Sequence, residues 1–193
     1  MYNILFKIQL RYLYICSLKL KIMRQIIIYC FIIASSISSV LSQDVNKKYF
    51  DKMVGSEILI DQCNRAGLEE GTFGQVFSTQ YAEYNPETST IADLKKQVEG
   101  ISIKIVFGSW CYDSKMQVPR FMKVLDQIEF NESNLSIIAV DRLKKSHDAS
   151  IDHLKIKLVP TFIIYKGQEE IGRIVENPKT SLEQDLLKIL QEN

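Results

Sequence analysis

An α/β fold, in which helices cover both faces of a mixed sheet, is predicted by three observations on the sequence. The short run 103–107 is rich in β-branched and aromatic residues, and apolar residues at helical spacing follow it. A second apolar run, 135–140, lies one helix further on, as in a right-handed crossover between parallel strands. Two strands at 161–165 and 169–175 flank a turn and precede a final helix. This order of elements predicts three layers, α/β/α.

The helix predicted at 115–128 follows the first strand directly. Its apolar residues lie mostly on one face, as in a helix packed on a sheet: Met116, Val118, Phe121, Met122, Leu125 and Ile128. Gly108 and Ser109 end the strand, so Cys111 lies where the strand gives way to a helix N-terminus. Unpaired N–H groups and the positive end of the helix dipole favour a thiolate there. A thiolate is the nucleophile of sulfur exchange, which makes Cys111 the candidate reactive residue.

Shorter elements complete the carboxyl-terminal half. Residues 146–155 are predicted to form a short helix, and Asn177-Pro178 breaks the chain after the last strand. Ser181 is the expected N-cap of the last helix, whose inner face carries leucines. Together with the strands, these elements predict one domain over residues 101–193.

Residues 43–100 are predicted to form a mostly helical extension of that domain. The polar stretch 43–52 is expected to be a linker. An aromatic and apolar stripe predicts a helix that Asn85-Pro86 ends: Phe73, Val76, Phe77, Tyr81 and Tyr84. A capping box at Thr90 predicts a second helix through Val98. The stripe is either buried against the sheet or a face that binds a partner.

The first 42 residues are typical of a secretory signal peptide. Three basic residues precede the apolar and small-residue run 26–41, and Ser42 ends a signal-peptidase motif. The run is short for a membrane span, which needs about 20 residues. Met23 would itself begin a normal signal peptide, so residues 1–22 are interpreted as an over-extended start. We expect an extracytoplasmic protein, periplasmic or secreted, without a membrane segment after cleavage; an uncleaved anchor is the alternative.

Signal cleavage would leave two of the four cysteines, Cys63 and Cys111. Two cysteines do not make a disulfide scaffold. Cys63 is either a small buried residue or a resolving cysteine recruited to Cys111 from elsewhere in the chain. We expect the former, with Cys63 in the helical extension and too far from Cys111 to form a disulfide.

Charge and histidine content exclude other classes of function. Residues 1–42 hold five basic residues and no acidic one, so the remainder has 19 basic and 23 acidic residues and a net charge of −4. An acidic body without a basic stripe argues against nucleic acid as a partner. The two histidines, His147 and His153, do not have the spacing of a usual metal site. We therefore expect neither a metal nor another cofactor.

The residues around Cys111 resemble the active-site segment of the thioredoxin superfamily. Trp110-Cys111-x-x-Ser114 has the shape of the family's Trp-Cys-x-x-Cys motif, with serine at the second cysteine. Pro119 matches the proline that kinks the family's active-site helix. Val159-Pro160-Thr161 matches the loop whose cis-proline lies beside the catalytic sulfur. The resemblance covers about residues 101–193, implies a thioredoxin-like fold there, and looks closest to bacterial extracytoplasmic thioredoxin family proteins.

Two departures from the family pattern concern the second half of the reaction. Ser114 replaces the resolving cysteine, and Ile105 stands where thioredoxins carry a buried acid that helps proton transfer. The resemblance therefore implies a monothiol site, in which Cys111 attacks a disulfide but does not close its own.

The resemblance implies thiol–disulfide exchange, with protein or small-molecule thiols and disulfides as partners and an external thiol as resolving group. Cys111 and Ser114 are the candidate catalytic residues; Ser114 either donates to the thiolate or caps the helix. Near Cys111, Asp113 disfavours the thiolate and Lys115 partly offsets it. The residues expected to contact the substrate are Trp110, Tyr112, Val159, Pro160 and Thr161. The alternative is a binding module that uses the groove between Trp110 and Pro160 without turnover.

The predicted signal peptide defines the mature amino terminus. Intact-mass and peptide mass spectrometry of the exported protein should place that terminus at or near Gln43, because cleavage is expected after Ser42. A mature chain that retains residues 26–41 would mean a membrane anchor instead.

Overall fold

Six strands form one mixed sheet in the computed structural model, which describes residue 25 and residues 45–148 and 150–193. The strands are β1 (Lys47–Asp51), β2 (Ser56–Cys63), β3 (Ile101–Phe107), β4 (Leu135–Ala139), β5 (Thr161–Lys166) and β6 (Glu169–Val175). The helices are α1 (Arg65–Leu68), α2 (Gly71–Glu83), α3 (Thr88–Lys95), α4 (Tyr112–Gln127) and α5 (Leu182–Gln191). Apart from residue 25, the signal peptide predicted at 1–42 lies outside the described residues and stays a prediction.

The strand order β1-β2-β4-β3-β5-β6 places the predicted parallel pair at the centre. β3 and β4 are parallel, with Ile105 opposite Ile137, and α4 lies in the connection between them. β5 pairs antiparallel with β3, and β6 pairs antiparallel with β5. The four strands and α4 and α5 have the connectivity of a thioredoxin-like α/β fold, which confirms the predicted α/β class.

The two faces of the sheet are covered differently. On one face, the helices enclose a large core in which Phe107, Phe121 and Phe162 are fully buried. The other face carries a smaller apolar cluster: Val106, Val140, Ile151, Leu154, Val159 and Ile163. The helix predicted at 146–155 is wrong, because the described residues of this stretch form only a 3₁₀ turn, Asp152–Leu154. One turn suffices to bury Ile151 and Leu154, and the turn ends where Lys155 takes a left-handed conformation with φ 52°.

The segment 43–100 contains two strands that the sequence did not predict. β1 and β2 form an antiparallel hairpin, and β2 joins β4 through residues 61–63. β1 replaces much of the expected linker; it is an edge strand with mostly exposed side chains, so its sequence shows no apolar alternation. Because β2 belongs to the same sheet as the carboxyl-terminal half, Asp44–Asn193 form one compact unit.

The helical part of this segment agrees better with the sequence. Phe73 and Phe77 of the aromatic stripe are buried, and the Phe73 ring lies 5.4 Å from that of Phe107. The stripe is therefore buried against the core and is not a face that binds a partner. α3 begins two residues before the expected Thr90. Ser181 is the N-cap of α5, as predicted, and its hydroxyl accepts from Gln184 N at 3.3 Å.

A buried carboxylate, that of Asp61, ties the hairpin to the loop after β4. Asp61 is 3% exposed, and its Oδ1 accepts from the Ser146 hydroxyl at 2.7 Å and from the backbone N–H groups of His147 and Asp148 at 2.5 and 3.0 Å. Burial raises the pKa of Asp61, but these hydrogen bonds outweigh burial and hold the pKa below its ordinary value. The carboxylate therefore stays ionised and fixes the loop.

Replacing this carboxylate should destabilise the protein in a pH-dependent way. Asp61→Asn keeps the left-handed backbone that Asp61 adopts (φ 66°) but loses the charge, and it should lower the free energy of unfolding by about 1–3 kcal/mol at pH 7. The carboxylate contributes fully above its unfolded pKa of about 3.9, and its contribution is lost as pH falls through the lower folded pKa. Urea unfolding should therefore show the deficit shrinking below about pH 4. The exposed Asp93→Asn is the control, and an equal deficit at pH 7 and pH 3 would contradict the assignment.

Candidate active site

Cys111 occupies the N-cap position of α4, at the carboxyl end of the central strand β3. Its backbone is extended (φ −83°, ψ 133°), its N–H donates to Gly108 O at 2.9 Å, and its carbonyl accepts from Lys115 N at 3.1 Å. The side chain is partly exposed. The thiol thus lies at the amino end of a 16-residue helix and within reach of solvent, which is the placement that the sequence predicted.

The thiol of Cys111 lies against the loop that precedes β5. Its Sγ is 3.2 Å from the carbonyl oxygen of Val159, 48 positions away in the chain. The Val159–Pro160 peptide bond is cis. The structure therefore brings together the two sequence motifs, Trp110-Cys111 and Val159-Pro160, on which the predicted site depends.

Thr161 is buried, as are its predicted neighbours Val159 and Pro160. Its side chain is 1% exposed, and its hydroxyl donates to Leu158 O at 2.7 Å. The hydroxyl therefore stabilises the loop and does not face a substrate. Leu158, which the sequence analysis did not single out, is 44% exposed beside Val159.

The Trp110 ring is fixed on the other side of Cys111. Its Nε1–H donates to Val140 O at 2.9 Å, and the Arg142 guanidinium lies 5.5 Å from the ring centroid. A Cβ at Gly108 would come within 2.6 Å of the ring, so only glycine fits there. In contrast, Tyr112 is 72% exposed and can contact a partner.

Ser114 has a role that neither alternative from the sequence described. It is fully buried, and its Oγ accepts from Gly108 N at 3.2 Å. The helix has no side-chain cap, since Cys111 holds the N-cap position. The Ser114 hydroxyl therefore links the first turn of α4 to the end of β3.

A further contact, between Ser109 and Leu59, connects this turn to the hairpin. The Ser109 hydroxyl accepts from the backbone N–H of Leu59 at 2.9 Å, and both residues are buried. Sequence reasoning missed three residues whose contacts span 30 to 50 positions: Leu59, Val140 and Arg142. Leu59 and Val140 act through backbone groups, which no motif reports.

Cys63 is a buried residue of β2 and forms no disulfide with Cys111, because both thiols are free. It is 3% exposed, and burial raises the pKa of its thiol to about 12. Cys63 lies within the extension predicted at 43–100, at the end of its strand β2. That it is too far from Cys111 to form a disulfide stays a prediction. The three apolar residues before Asp61, Ile58–Ile60, also belong to β2, and all three are buried.

Within residues 45–148 and 150–193, no group of three or more His, Cys, Asp or Glu side chains is placed to hold a metal ion. His147 and His153 are both exposed. The helices of these residues include none that is long and apolar enough to cross a membrane.

Comparison with solved structures returns proteins of low sequence identity. A Pseudomonas aeruginosa protein of unknown function is 11% identical, with a TM-score of 0.48 over 61% of this chain and 83% of its own. Oxidised mitochondrial thioredoxin 3 from Saccharomyces cerevisiae is 21% identical, with a TM-score of 0.34 over 59% of this chain and 99% of its own. A variant thioredoxin from Halobacterium salinarum is 14% identical, with a TM-score of 0.34 over 56% of this chain and 86% of its own.

No protein-family model matches the chain, and no curated protein matches it. Since all three TM-scores lie below 0.5, the thioredoxin-like assignment depends on the strand order and register described above.

The difference in exposure between the two cysteines should appear in their alkylation rates. With iodoacetamide at pH 7 to 9, Cys111 should react at least about tenfold faster than Cys63, because a thiol with a pKa of about 12 is almost wholly protonated in this range. Peptide mass spectrometry measures both rates, with Cys63→Ala as the control that keeps the Cys111 rate. Comparable labelling of Cys63 in the folded protein would contradict this picture; in denaturant the two rates should converge.

Proposed function

We propose that this protein performs thiol–disulfide exchange through Cys111 alone, with an external thiol resolving the mixed disulfide. The observation that supports the proposal is the position of the Cys111 sulfur: partly exposed, at the N-terminus of α4, and 3.2 Å from the Val159 carbonyl beside Pro160. A partly exposed sulfur in this position can meet a disulfide that arrives from solvent.

The first step forms a mixed disulfide. The Cys111 thiolate attacks one sulfur of a substrate disulfide, the substrate S–S bond breaks, and a new S–S bond joins Cys111 to the substrate. The second substrate sulfur leaves as a thiolate and takes a proton from water. The exposed Tyr112 and Leu158 lie next in sequence to Cys111 and Val159 and offer apolar surface for the substrate chain.

The second step needs thiols from outside this chain. Ser114 has no sulfur, and Cys63 is buried in β2 with its thiol protonated, so neither of these residues displaces the substrate. An external thiolate attacks the Cys111 sulfur and releases the substrate thiolate. A second external thiol then frees Cys111, and the two external thiols leave joined as a disulfide. Two electrons have passed from the external thiols to the substrate disulfide.

We also propose that the protein acts outside the cytoplasm, where substrate disulfides persist. This proposal is supported by the sequence pattern of residues 1–42, which resembles a signal peptide.

The test of this function is the lifetime of the mixed disulfide. Ser114→Cys should shorten that lifetime at least about tenfold, because a thiol one helical turn from Cys111 acts intramolecularly. Wild-type protein and a labelled peptide disulfide would be mixed, quenched with acid at intervals and separated on non-reducing gels.

The matched control is Ser114→Ala, which loses the hydrogen bond from Gly108 N without gaining a sulfur and should keep the long lifetime. Cys111→Ala should form no adduct. If the wild type forms no adduct with any disulfide, exchange is wrong and the groove between Trp110 and Pro160 is better explained as a non-catalytic binding site.

A further inference from the structure

β2 extends past the end of its neighbour β4. Residues 61–63 of β2 pair with β4, whereas residues 56–60 pair with β1 alone. Since β2 and β4 are antiparallel, the extra residues project beyond the carboxyl end of β4. This is the edge of the sheet at which Cys111 follows β3.

On the side away from β1, this projecting part is bonded to Ser109 at Leu59 and is open at Glu57. Leu59 N–H points away from β1, because it donates to Ser109 Oγ. Backbone groups of alternate residues point the same way along a strand, so the N–H and C=O of Glu57 face this side too. The described part of the chain has no strand paired with Glu57 there.

A cleft of about 340 Å³ adjoins this open edge. We call it the β2 cleft; six of the residues that line it are Glu57, Leu59, Phe73, Ser109, Trp110 and Lys115. Trp110 directly precedes Cys111 in the chain, and Lys115 lies one helical turn after it. Residues on both sides of Cys111 in the chain therefore line the β2 cleft.

We propose that the β2 cleft binds an extended segment of a polypeptide, which adds a short strand to β2 while Cys111 attacks a disulfide in the same polypeptide. This inference rests on the proposed exchange function for its biological role. Unpaired backbone donors and acceptors of a strand edge match another extended backbone. Phe73 and Leu59 give the cleft apolar surface, while Glu57 and Lys115 have opposite charges, so the lining favours neither an anion nor a cation.

The distance across the sheet sets the minimum size of such a substrate. The β2 cleft and the Pro160 loop are three strand spacings apart in the order β2-β4-β3-β5, or about 14 Å. An extended chain covers this distance in roughly four to five residues. A polypeptide disulfide can engage both regions, whereas a small disulfide engages only the surface next to Cys111.

Binding can be measured without any sulfur chemistry. The probe is carboxyamidomethylated insulin B chain, an extended polypeptide with no free thiol and no disulfide. The protein contains a single tryptophan, Trp110, which lines the β2 cleft, so its fluorescence reports binding there. Glu57→Pro removes the N–H that faces the cleft but no N–H that faces β1, and a strand edge tolerates proline at such a position.

The matched control is Glu57→Ala, which loses the carboxylate but keeps the N–H. We expect Glu57→Pro to weaken binding at least about fivefold and Glu57→Ala to change it less than about twofold. In the wild type, the bound probe should also protect the Glu57 amide from hydrogen exchange and leave that of Ile58, which faces β1, unchanged. The exchange measurement decides the question if Glu57→Pro fails to fold.

The proposal is overturned if the probe does not bind, if both variants bind it as tightly as the wild type, or if Glu57 gains no protection. Reaction of Cys111 with 2-hydroxyethyl disulfide is a separate measurement. If the wild type reacts neither with this disulfide nor with the labelled peptide disulfide, the proposed exchange function fails, while the binding data still decide on the cleft.

Discussion

A four-residue turn, 108–111, at the end of β3 is the constraint on which the site depends. It is tied to four other parts of the chain: Gly108 N to Ser114 Oγ in α4, Ser109 Oγ to Leu59 N in β2, Trp110 Nε1 to Val140 O after β4, and Cys111 Sγ to Val159 O before β5. A typical hydrogen bond is worth about 1 kcal/mol net, but all four of these contacts act on the same four residues. The orientation of the sulfur therefore follows from the packing of four separate segments around one turn.

The hairpin stabilises this turn from two directions. Leu59 bonds Ser109 directly, while Asp61, two residues later, accepts three hydrogen bonds from residues 146–148. The same loop carries Arg142, whose guanidinium lies over the Trp110 ring. Because Asp61 is buried and its hydrogen bonds hold its pKa below the ordinary value, this anchor persists at neutral pH. Residues that precede the thioredoxin-like part of the sequence thus contribute to the geometry of its site.

The sequence predicted the elements whose signals are local. The apolar runs at 103–107 and 135–140 give the strands β3 and β4, and the helix between them has a clear apolar face. Ser181 caps α5 as expected. The sequence did not predict β1, which is a polar edge strand. It did not predict β2 either, because residues 58–60 are all buried and lack the alternation of apolar and polar residues. At the site, Trp110, Cys111 and Pro160 carried a recognisable pattern, whereas Leu59, Asp61 and Val140 did not. Their contribution comes from backbone groups or from contacts across 30 or more positions, which only the folded chain brings together.

Ser114 shows how the turn and the chemistry are coupled. An oxygen at this position accepts the hydrogen bond from Gly108 N, and a sulfur is a much weaker acceptor. Serine therefore strengthens the turn that orients Cys111 at the same position where a cysteine would complete an internal disulfide. Cys63 does not compensate, since a fully packed strand holds it with its pKa raised to about 12. A site built in this way orients one sulfur firmly, and in the proposed exchange it leaves the second step to an external thiol.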